Sequence, residues 1–401
     1  MLHNKFRLLN VIFVVFIIIL TTRFFNYSNW NPTWAGWCSY FVYGYLAVLV
    51  YNNRAYVRRI KSPLSKWVKL YIGLHLPCLI TLLIVHGQSP MTEKGMIFSL
   101  MLFLFFYYYY LHNTSESAII RIFTSVGLFI FAIQAVQQFF PGMAAFGVFN
   151  PKLDDSTEII AEVRNGLYRY RLSGIFFVLF CLYYYWAQLL NKTTAKSTLL
   201  FLVFLASMYL FLTRQIIFAT LVTLALSSFF ATNKKRRFIM LVTTIMFIVA
   251  LFAYSEVLFG ELISKTHEQM SEDDIRMIAF SVYWERIISN PLTFLFGNVH
   301  PAEFNYLQEE LRLFTSDIGF VGQMYHYGVL WVLFYLYTLY VMLIRYRKTI
   351  PLYVKLFLFG TAINSIMVFP CSSPNEYFIW ASIMYICSLH ISKNGMHTAE
   401  R

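Results

Sequence analysis

Long apolar runs alternate with short polar segments along most of the chain. Several of these runs approach or exceed 18 residues, which is the length that an α-helix needs to cross the hydrocarbon of a bilayer. The pattern therefore predicts an all-α polytopic membrane protein. We expect twelve membrane-spanning helices, at residues 8–25, 33–51, 67–86, 95–111, 118–140, 173–190, 197–213, 215–231, 238–258, 322–344, 352–370 and 376–391.

Two longer polar segments divide the chain into five parts. Residues 141–172 separate the first five predicted helices from the next four, and residues 259–321 separate helices nine and ten. The parts are residues 1–140, 141–172, 173–258, 259–321 and 322–401, the last with three helices and a short tail. Four predicted spans, an even number, lie between the two polar segments. Both segments therefore face the same side of the membrane and can build one site.

The composition and the distribution of charge support this arrangement. The chain is 59% hydrophobic and only 13% charged, more apolar surface than a soluble core can hide. Most of the 32 lysines and arginines fall in the predicted inner loops, and most of the 19 acids fall outside. By the positive-inside rule both termini are cytoplasmic, and the net charge of +13 reflects anionic lipid rather than a nucleic-acid partner. Lys5 and Arg7 precede a first span without a small-residue cleavage site, which predicts an uncleaved anchor.

The large polar segment contains a pattern typical of an amphipathic helix. Ser271 and Asp274 resemble a capping box at its start, and Asn290-Pro291 follows its end. Apolar residues recur between them at helical spacing: Ile275, Ile278, Ala279, Val282 and Ile287. We expect a helix on the outer membrane surface, with Arg276, Glu285 and Arg286 on or near its polar side.

Runs of tyrosine fall at the inner ends of two predicted spans. Residues 107–110 read YYYY, and residues 183–186 read YYYW. Tyr and Trp are enriched where a membrane meets water, because each ring has an apolar body and a polar atom. These runs are predicted to form interfacial aromatic belts.

Arginines at the outer boundary indicate an anionic ligand. Arg171 opens the sixth span, and Arg214 lies at the tight turn between spans seven and eight. A cation between two apolar helices is costly unless an anion meets it, and a guanidinium binds phosphate oxygens with two hydrogen bonds. The alternative for each arginine, Arg164 and Arg169 included, is contact with lipid headgroups or a loop acid. No Cys or His spacing predicts a metal site, and no Gly-rich phosphate loop is found.

Four motifs in order along residues 165–345 resemble the family of O-antigen polymerases and O-antigen ligases. The first is Arg171, Ser173 and Gly174 at the opening of a span, and the second is Thr213-Arg214 at a tight outer turn. The third is the large loop with Arg276, Trp284 and the stretch from Asn290 to Gly297. The fourth is Asp317, followed eleven residues later by Gly328 at the start of a span.

The resemblance implies a membrane glycosyltransferase of the C-type architecture, without metal or other cofactor. The donor would be an undecaprenyl-diphosphate-linked glycan on the outer face of the bacterial cytoplasmic membrane, and the transfer would invert the anomeric centre. Ligases of this family usually carry a His-containing motif where this chain has Thr315-Ser316-Asp317. The departure favours polymerisation of repeat units of O-antigen, capsule or exopolysaccharide, with a flippase and a chain-length regulator as further partners.

The resemblance and the chemistry together suggest roles for individual residues. Asp317 is the predicted base for the acceptor hydroxyl, and the alternative for it is a helix N-cap. The predicted ligands of the diphosphate are Arg171, Arg214 and Arg276. Secondary candidates for the site are Arg286, His300, Glu303 and His326. The alternative for His326 is a helix-packing or cavity residue, and the alternative for His300 is simple exposure to solvent.

Other functions remain compatible with the sequence. One is an O-antigen ligase that transfers glycan to a lipid A core. Another is a flippase or other transporter of lipid-linked oligosaccharide, since twelve spans are common among transporters. Transporters usually carry ionisable residues near mid-membrane and two similar halves, whereas here the charged residues gather outside. An O-acyltransferase would require a His-centred membrane motif, and none is evident.

Overall fold

The computed structural model is mostly helical. It describes residues 2–22, 32–90, 99–140, 162–164, 167–169, 174–227, 275–311, 313–366 and 373–399, with residues 238, 241–242 and 245–246 as separate helical positions. The described helices before the first polar segment are α1 (Leu2–Thr22), α2 (Pro32–Asn52), α3 (Arg54–Arg59), α4 (Pro63–Gly73), α5 (His75–His86), α6 (Phe105–Leu111) and α7 (Glu116–Phe139). A 3₁₀-helix, Leu100–Leu104, leads directly into α6.

The later helices follow in three groups. The first group is α8 (Ile175–Asn191), α9 (Ala195–Leu210) and α10 (Arg214–Ser227). The large polar segment contributes α11 (Ile275–Ile288), α12 (Pro291–Phe296) and α13 (Ala302–Glu309). The last group is α14 (Gly319–Tyr340), α15 (Leu352–Asn364) and α16 (Pro374–Ala399), with a π-helical turn at Val341–Arg345 after α14.

Apolar helices dominate the chain, as the hydrophobic runs predict. Three helical segments in the described residues are long and apolar enough to cross a membrane: Pro63–His86, Glu116–Phe139 and Gly319–Arg345. Six shorter apolar helices accompany them, among them Ile175–Asn191 and Leu352–Asn364. Each predicted span except 238–258 overlaps at least one described helix, and 238–258 falls almost wholly outside the described residues.

A short β-hairpin is the one exception to the all-α prediction within the described residues. Strand β1 (Glu162–Arg164) pairs antiparallel with β2 (Leu167–Arg169), with Val163 opposite Tyr168. Gln138, near the end of α7, donates from Nε2 to the Tyr168 carbonyl at 2.6 Å and accepts from the Tyr168 amide at 3.0 Å. A Gln amide offers a donor and an acceptor side by side. It therefore bonds both backbone groups of Tyr168 at the edge of this strand, as the backbone of a neighbouring strand would.

The chain divides into two compact units, and neither is one continuous stretch of sequence. The first unit draws on residues 1–42, 112–265 and 352–360. Within it α7, α8 and α9 pack together, and the Phe123 ring lies edge-on to Phe177 at 5.0 Å. Buried polar groups pair inside the unit, because Ser207 donates to Gln134 Oε1 and Trp186 Nε1 donates to Ser227, each at 2.6 Å. Buried groups of this kind must be paired to avoid a desolvation cost.

The second unit draws on residues 43–111, 266–351 and 361–401, and it overturns the belt predicted for the first tyrosine run. Tyr107, Tyr108 and Tyr109 are buried inside this unit, where α6 packs on α16. The Tyr107 hydroxyl donates to the Ser65 carbonyl at 2.6 Å, and the Tyr109 hydroxyl bonds to the Ser382 hydroxyl at 3.1 Å. Serines on neighbouring helices thus form hydrogen bonds with tyrosine hydroxyls that the sequence predicts to lie at the membrane surface.

Candidate functional site

Helix α11 lies with its two arginines on the side that packs against the protein. Ala279, Tyr283 and Ile287 are buried on this side at intervals of four residues. Arg276 precedes Ala279 by three residues and Arg286 follows Tyr283 by three, so both arginines lie on this side of the helix. Both are half-buried. The sequence predicts Arg276, Glu285 and Arg286 on or near one polar side, whereas only Glu285 is exposed and the two arginines lie beside the buried positions.

The outward side of α11 is largely apolar. Met277, Ile278, Trp284 and Ile288 are all exposed there. The helix predicted between Ser271 and Asn290 is thus present over Ile275–Ile288, but its predicted apolar side is divided: Ala279 and Ile287 are buried, whereas Ile275 and Ile278 are exposed. The predicted capping residues Ser271 and Asp274 lie outside the described residues.

An aromatic contact fixes α11 against α14 and the turn before it. The Tyr283 hydroxyl donates to the Leu313 carbonyl at 2.8 Å, and the Tyr283 ring lies edge-on to Tyr325 at 4.7 Å. Phe304 of α13 and Leu307 are buried in the same cluster. The helix that carries Arg276 is consequently anchored on the segment that carries Asp317 and His326.

Two glycines bring the stretch after Asn290 into direct backbone contact with α14. Asn290 caps α12 by accepting a hydrogen bond from the Leu292 amide, and Pro291 stands at the first helical position, where its missing N–H costs nothing. A Cβ on Gly297 would come within 2.4 Å of the His326 carbonyl, and one on Gly328 within 2.2 Å of the Leu295 carbonyl. Two of the motifs behind the resemblance therefore form one packed structure that requires both glycines.

Helix α14 is interrupted at Gly328, and residues 298 and 299 repair the interruption. Gly328 adopts φ 77° and ψ 170°, which ends the regular hydrogen bonding of the helix there. The carbonyls of Tyr325 and His326 accept instead from the amides of Asn298 at 2.6 Å and Val299 at 3.0 Å. Irregular backbone within an apolar span is tolerated only where such partners are supplied.

Val299 is held in an unfavourable backbone conformation to make these contacts. Its φ is +57° and its side chain is fully buried, which is rare for a β-branched residue. Both of its peptide groups contact one residue: the amide donates to the His326 carbonyl, and the carbonyl accepts from His326 Nδ1 at 2.7 Å. Strain of this type costs on the order of 1–3 kcal/mol and accumulates at functional sites.

His326 is the centre of the resulting cluster. Because a carbonyl can only accept, Nδ1 carries a proton, and Nε2 of the neutral ring is an acceptor. Thr315 Oγ1 lies 2.9 Å from Nε2 and donates to it. The His300 ring is edge-on to the His326 ring at 4.6 Å, and Phe304 packs against both. His300 is thus half-buried in the cluster rather than simply exposed to solvent.

Asp317 lies in a 3₁₀ turn, Thr315–Asp317, just before α14. Its side chain is half-buried, and its Oδ1 accepts from the Ser316 hydroxyl at 3.3 Å. The residue at the N-cap of α14 is Ile318, and no side chain caps that helix, so Asp317 is not the N-cap that the alternative prediction requires. A Cβ on Gly322 would meet the Thr315 carbonyl at 2.0 Å, which shows how closely this turn lies on α14.

The remaining predicted residues are described less fully. Arg171 lies outside the described residues. Arg214 is the first residue of α10 and Glu303 lies in α13, and for both only the backbone is described. The second unit therefore brings together the elements that carry Arg276, Arg286, His300, Asp317 and His326. Among the described residues no group of three or more His, Cys, Asp or Glu side chains could hold a metal ion.

The sequence did not single out three residues that build this cluster. Asn298 is buried, and its Oδ1 accepts from Nε2 of His86 at 2.8 Å, which ties the strained segment to the end of α5. Thr315 and Val299 hold the two nitrogens of His326. The run Gly297-Asn298 after a short helix was an available signal, since both residue types favour tight backbone turns.

Comparison with known proteins adds no relative to this description. No protein-family model matches the chain, and no curated protein or solved structure matches it.

Proposed function

We propose that this protein is a membrane glycosyltransferase that polymerises lipid-diphosphate-linked oligosaccharide repeat units into a surface polysaccharide. The donor is an undecaprenyl-diphosphate-linked glycan, and the reaction takes place on the outer face of the bacterial cytoplasmic membrane. Twelve spans with both termini in the cytoplasm, a flippase that supplies the donor and a chain-length regulator belong to the same proposal.

One observation carries this proposal beyond the sequence resemblance. The three motif-bearing segments of the second unit pack on one another, although they are spread over more than 50 residues of sequence. Helix α11 with Arg276 contacts α14 and the turn of Asp317, and Gly297 meets α14 beside His326. This packing supports the proposal, because a shared site needs the segments that carry these motifs to lie together.

The chemistry requires an arginine-lined phosphate site and a base. The bond that breaks joins an anomeric carbon to a diphosphate, which leaves as an anion. Guanidinium groups stabilise the charge that develops on its oxygens, and Arg171, Arg214 and Arg276 are the candidates. The half-buried position of Arg276 on the inward side of α11 suits this role, because partial exclusion of water strengthens the interaction of the two charges.

The acceptor is a sugar hydroxyl, which needs a base within hydrogen-bond reach. Asp317 is the first candidate from the sequence, and its side chain is only half-buried, so a substrate hydroxyl can reach it. His326 is the second candidate, because its ring is fixed by Val299 and offers an acceptor nitrogen. Direct attack by the hydroxyl inverts the configuration at the anomeric carbon.

The proposal is tested with purified protein in detergent and a lipid-diphosphate-linked repeat unit, followed by gel separation of the products. We expect a ladder of chain lengths from the wild type. Arg276→Gln keeps a polar side chain but loses the charge and the guanidinium fork, and it should lower the rate of transfer roughly 100-fold. Glu285→Gln is the matched control, since it removes a charge on the exposed side of the same helix and should leave the ladder intact.

Other products would identify the alternative functions. Folded protein that forms no ladder but transfers glycan to an added lipid A core would be a ligase. Movement of the lipid-linked unit across vesicles without either product would indicate a transporter. An unchanged ladder from Arg276→Gln would remove Arg276 from the diphosphate site.

A further inference from the structure

Thr315 is buried beside His326 with a fixed direction of hydrogen bonding. The Val299 carbonyl at 2.7 Å requires a proton on Nδ1 of His326. When the His326 ring is neutral, Nε2 has no proton, and the Thr315 hydroxyl donates to it across 2.9 Å. The three groups form a chain from hydroxyl to imidazole to carbonyl, the order in which activated hydroxyl groups are found in enzymes.

This direction leaves the oxygen of Thr315 able only to accept. Its single proton is committed to Nε2, and among the described residues no other group bonds to this hydroxyl. A new hydrogen bond to Oγ1 must therefore come from a donor outside the described contacts. A sugar hydroxyl is such a donor, and it is the group that loses a proton in glycosyl transfer.

The backbone around His326 is built to hold this arrangement. Val299 keeps a strained φ of +57° and uses its amide and its carbonyl on His326 alone. Gly297 and Gly328 permit the close approach of the two segments, because a Cβ at either position would overlap backbone atoms. A histidine that only fills space in a helix would need neither the strain nor the fixed tautomer.

We propose that Thr315 is a catalytic residue that passes the proton of the acceptor hydroxyl to His326. This inference rests on the proposed function, and it assigns the base to His326 acting through Thr315 rather than to Asp317. As the acceptor oxygen bonds to the anomeric carbon, its O–H bond breaks and its proton moves to Thr315 Oγ1. The proton of Thr315 moves at the same time to Nε2 of His326.

The remaining steps balance charge and electrons. The bond between the anomeric carbon and the diphosphate breaks, and its electron pair leaves with the diphosphate. His326 becomes an imidazolium whose Nδ1 proton stays with the Val299 carbonyl, and it returns its extra proton to water after the product leaves.

The test compares two substitutions at Thr315 in the polymerisation assay. Thr315→Val preserves the shape of the side chain and removes the hydroxyl, so kcat should fall about 100-fold or more with KM for the lipid-linked donor unchanged. Thr315→Ser keeps the hydroxyl and should retain most of the wild-type kcat. Thr338→Val, at a buried threonine within α14, is the control for loss of a hydroxyl without loss of transfer.

A double substitution tests whether the two residues act as one unit. His326→Gln should lower kcat by about as much as Thr315→Val, and the double variant should fall no further, because either change stops the same proton transfer. Thermal unfolding in detergent identifies variants that are merely misfolded. If His326→Gln fails to fold, the comparison of Thr315→Val with Thr315→Ser alone tests the proposal.

Two results would overturn this inference and leave the proposed function standing. One is a wild-type ladder with equal kcat for Thr315→Val and Thr315→Ser. The other is loss of transfer in Asp317→Asn as large as that in Thr315→Val, which would return the base to Asp317. A folded wild type that forms no ladder would refute the proposed function, and the inference would fall with it.

Discussion

Two regions of the second unit pack aromatic side chains into the protein and use them differently. In the tyrosine region, residues 105–111, each buried hydroxyl of Tyr107 and Tyr109 pairs with a serine on a neighbouring regular helix. In the His326 region, residues 297–300 and 325–328, the helix is broken and Val299 is strained. Regular helices with paired hydroxyls are sufficient for packing. Packing alone does not explain the free-energy cost of a broken helix and a strained residue around one imidazole. Backbone irregularity, rather than burial, is therefore the observation that distinguishes the proposed site from the tyrosine region.

The largest effect should follow from adding one methyl group to the His326 region. Gly297→Ala places a Cβ 2.4 Å from the His326 carbonyl at a residue with φ +80°, so both overlap and backbone strain oppose it. We expect a loss of about 3 kcal/mol of unfolding free energy. Thermal unfolding in detergent measures it. Gly73→Ala, in α4 with no atom within 4 Å of the new Cβ, is the matched control and should be neutral or slightly stabilising.

A smaller effect should follow from loosening the strained segment. Asn298→Ala removes the hydrogen bond to His86 and leaves a small cavity, at a cost of about 2 kcal/mol. Amide hydrogen exchange should rise at Val299, whose N–H donates to His326. His86→Gln is a useful companion, because its amide nitrogen can replace Nε2 as donor. If exchange at Val299 were unchanged in Asn298→Ala, Asn298 would have no part in holding this segment.

The smallest effect is expected in the tyrosine region. Tyr109→Phe removes one hydroxyl that bonds to Ser382, and it should cost about 1 kcal/mol of unfolding free energy with glycosyl transfer unaffected. Thermal unfolding and the polymerisation assay are measured on the same preparation. A loss of transfer as large as that expected for Thr315→Val would end the distinction between the two regions.

The sequence predicts the local elements of the site well. It predicts a helix that ends before Asn290-Pro291, and α11 does end there. It also relates Asp317 to Gly328 as parts of one motif, and the two lie at the start and at the break of α14. Helix length, caps and Pro or Gly positions depend on near neighbours, so they can be read without knowledge of the fold.

The sequence failed where the outcome depends on which elements meet. It grouped Arg276 and Arg286 with Glu285 on or near one polar side, because it could not know that α14 packs against the side of α11 that carries the two arginines. It placed Tyr107 at a membrane surface, because the serine that receives its hydroxyl is 42 residues away. Hydrophobic periodicity states that a helix has two sides, and packing decides which one is buried.

The amino-acid sequence by itself determined that the chain is a string of apolar helices with a polar, motif-bearing segment. That follows because the length and the polarity of a run decide locally whether it forms a buried helix. Only the tertiary structure decided that His326 would hold Thr315 on one nitrogen and Val299 on the other. Those partners stand 11 and 27 residues away, and a directional hydrogen bond exists only once packing has brought both atoms to within about 3 Å.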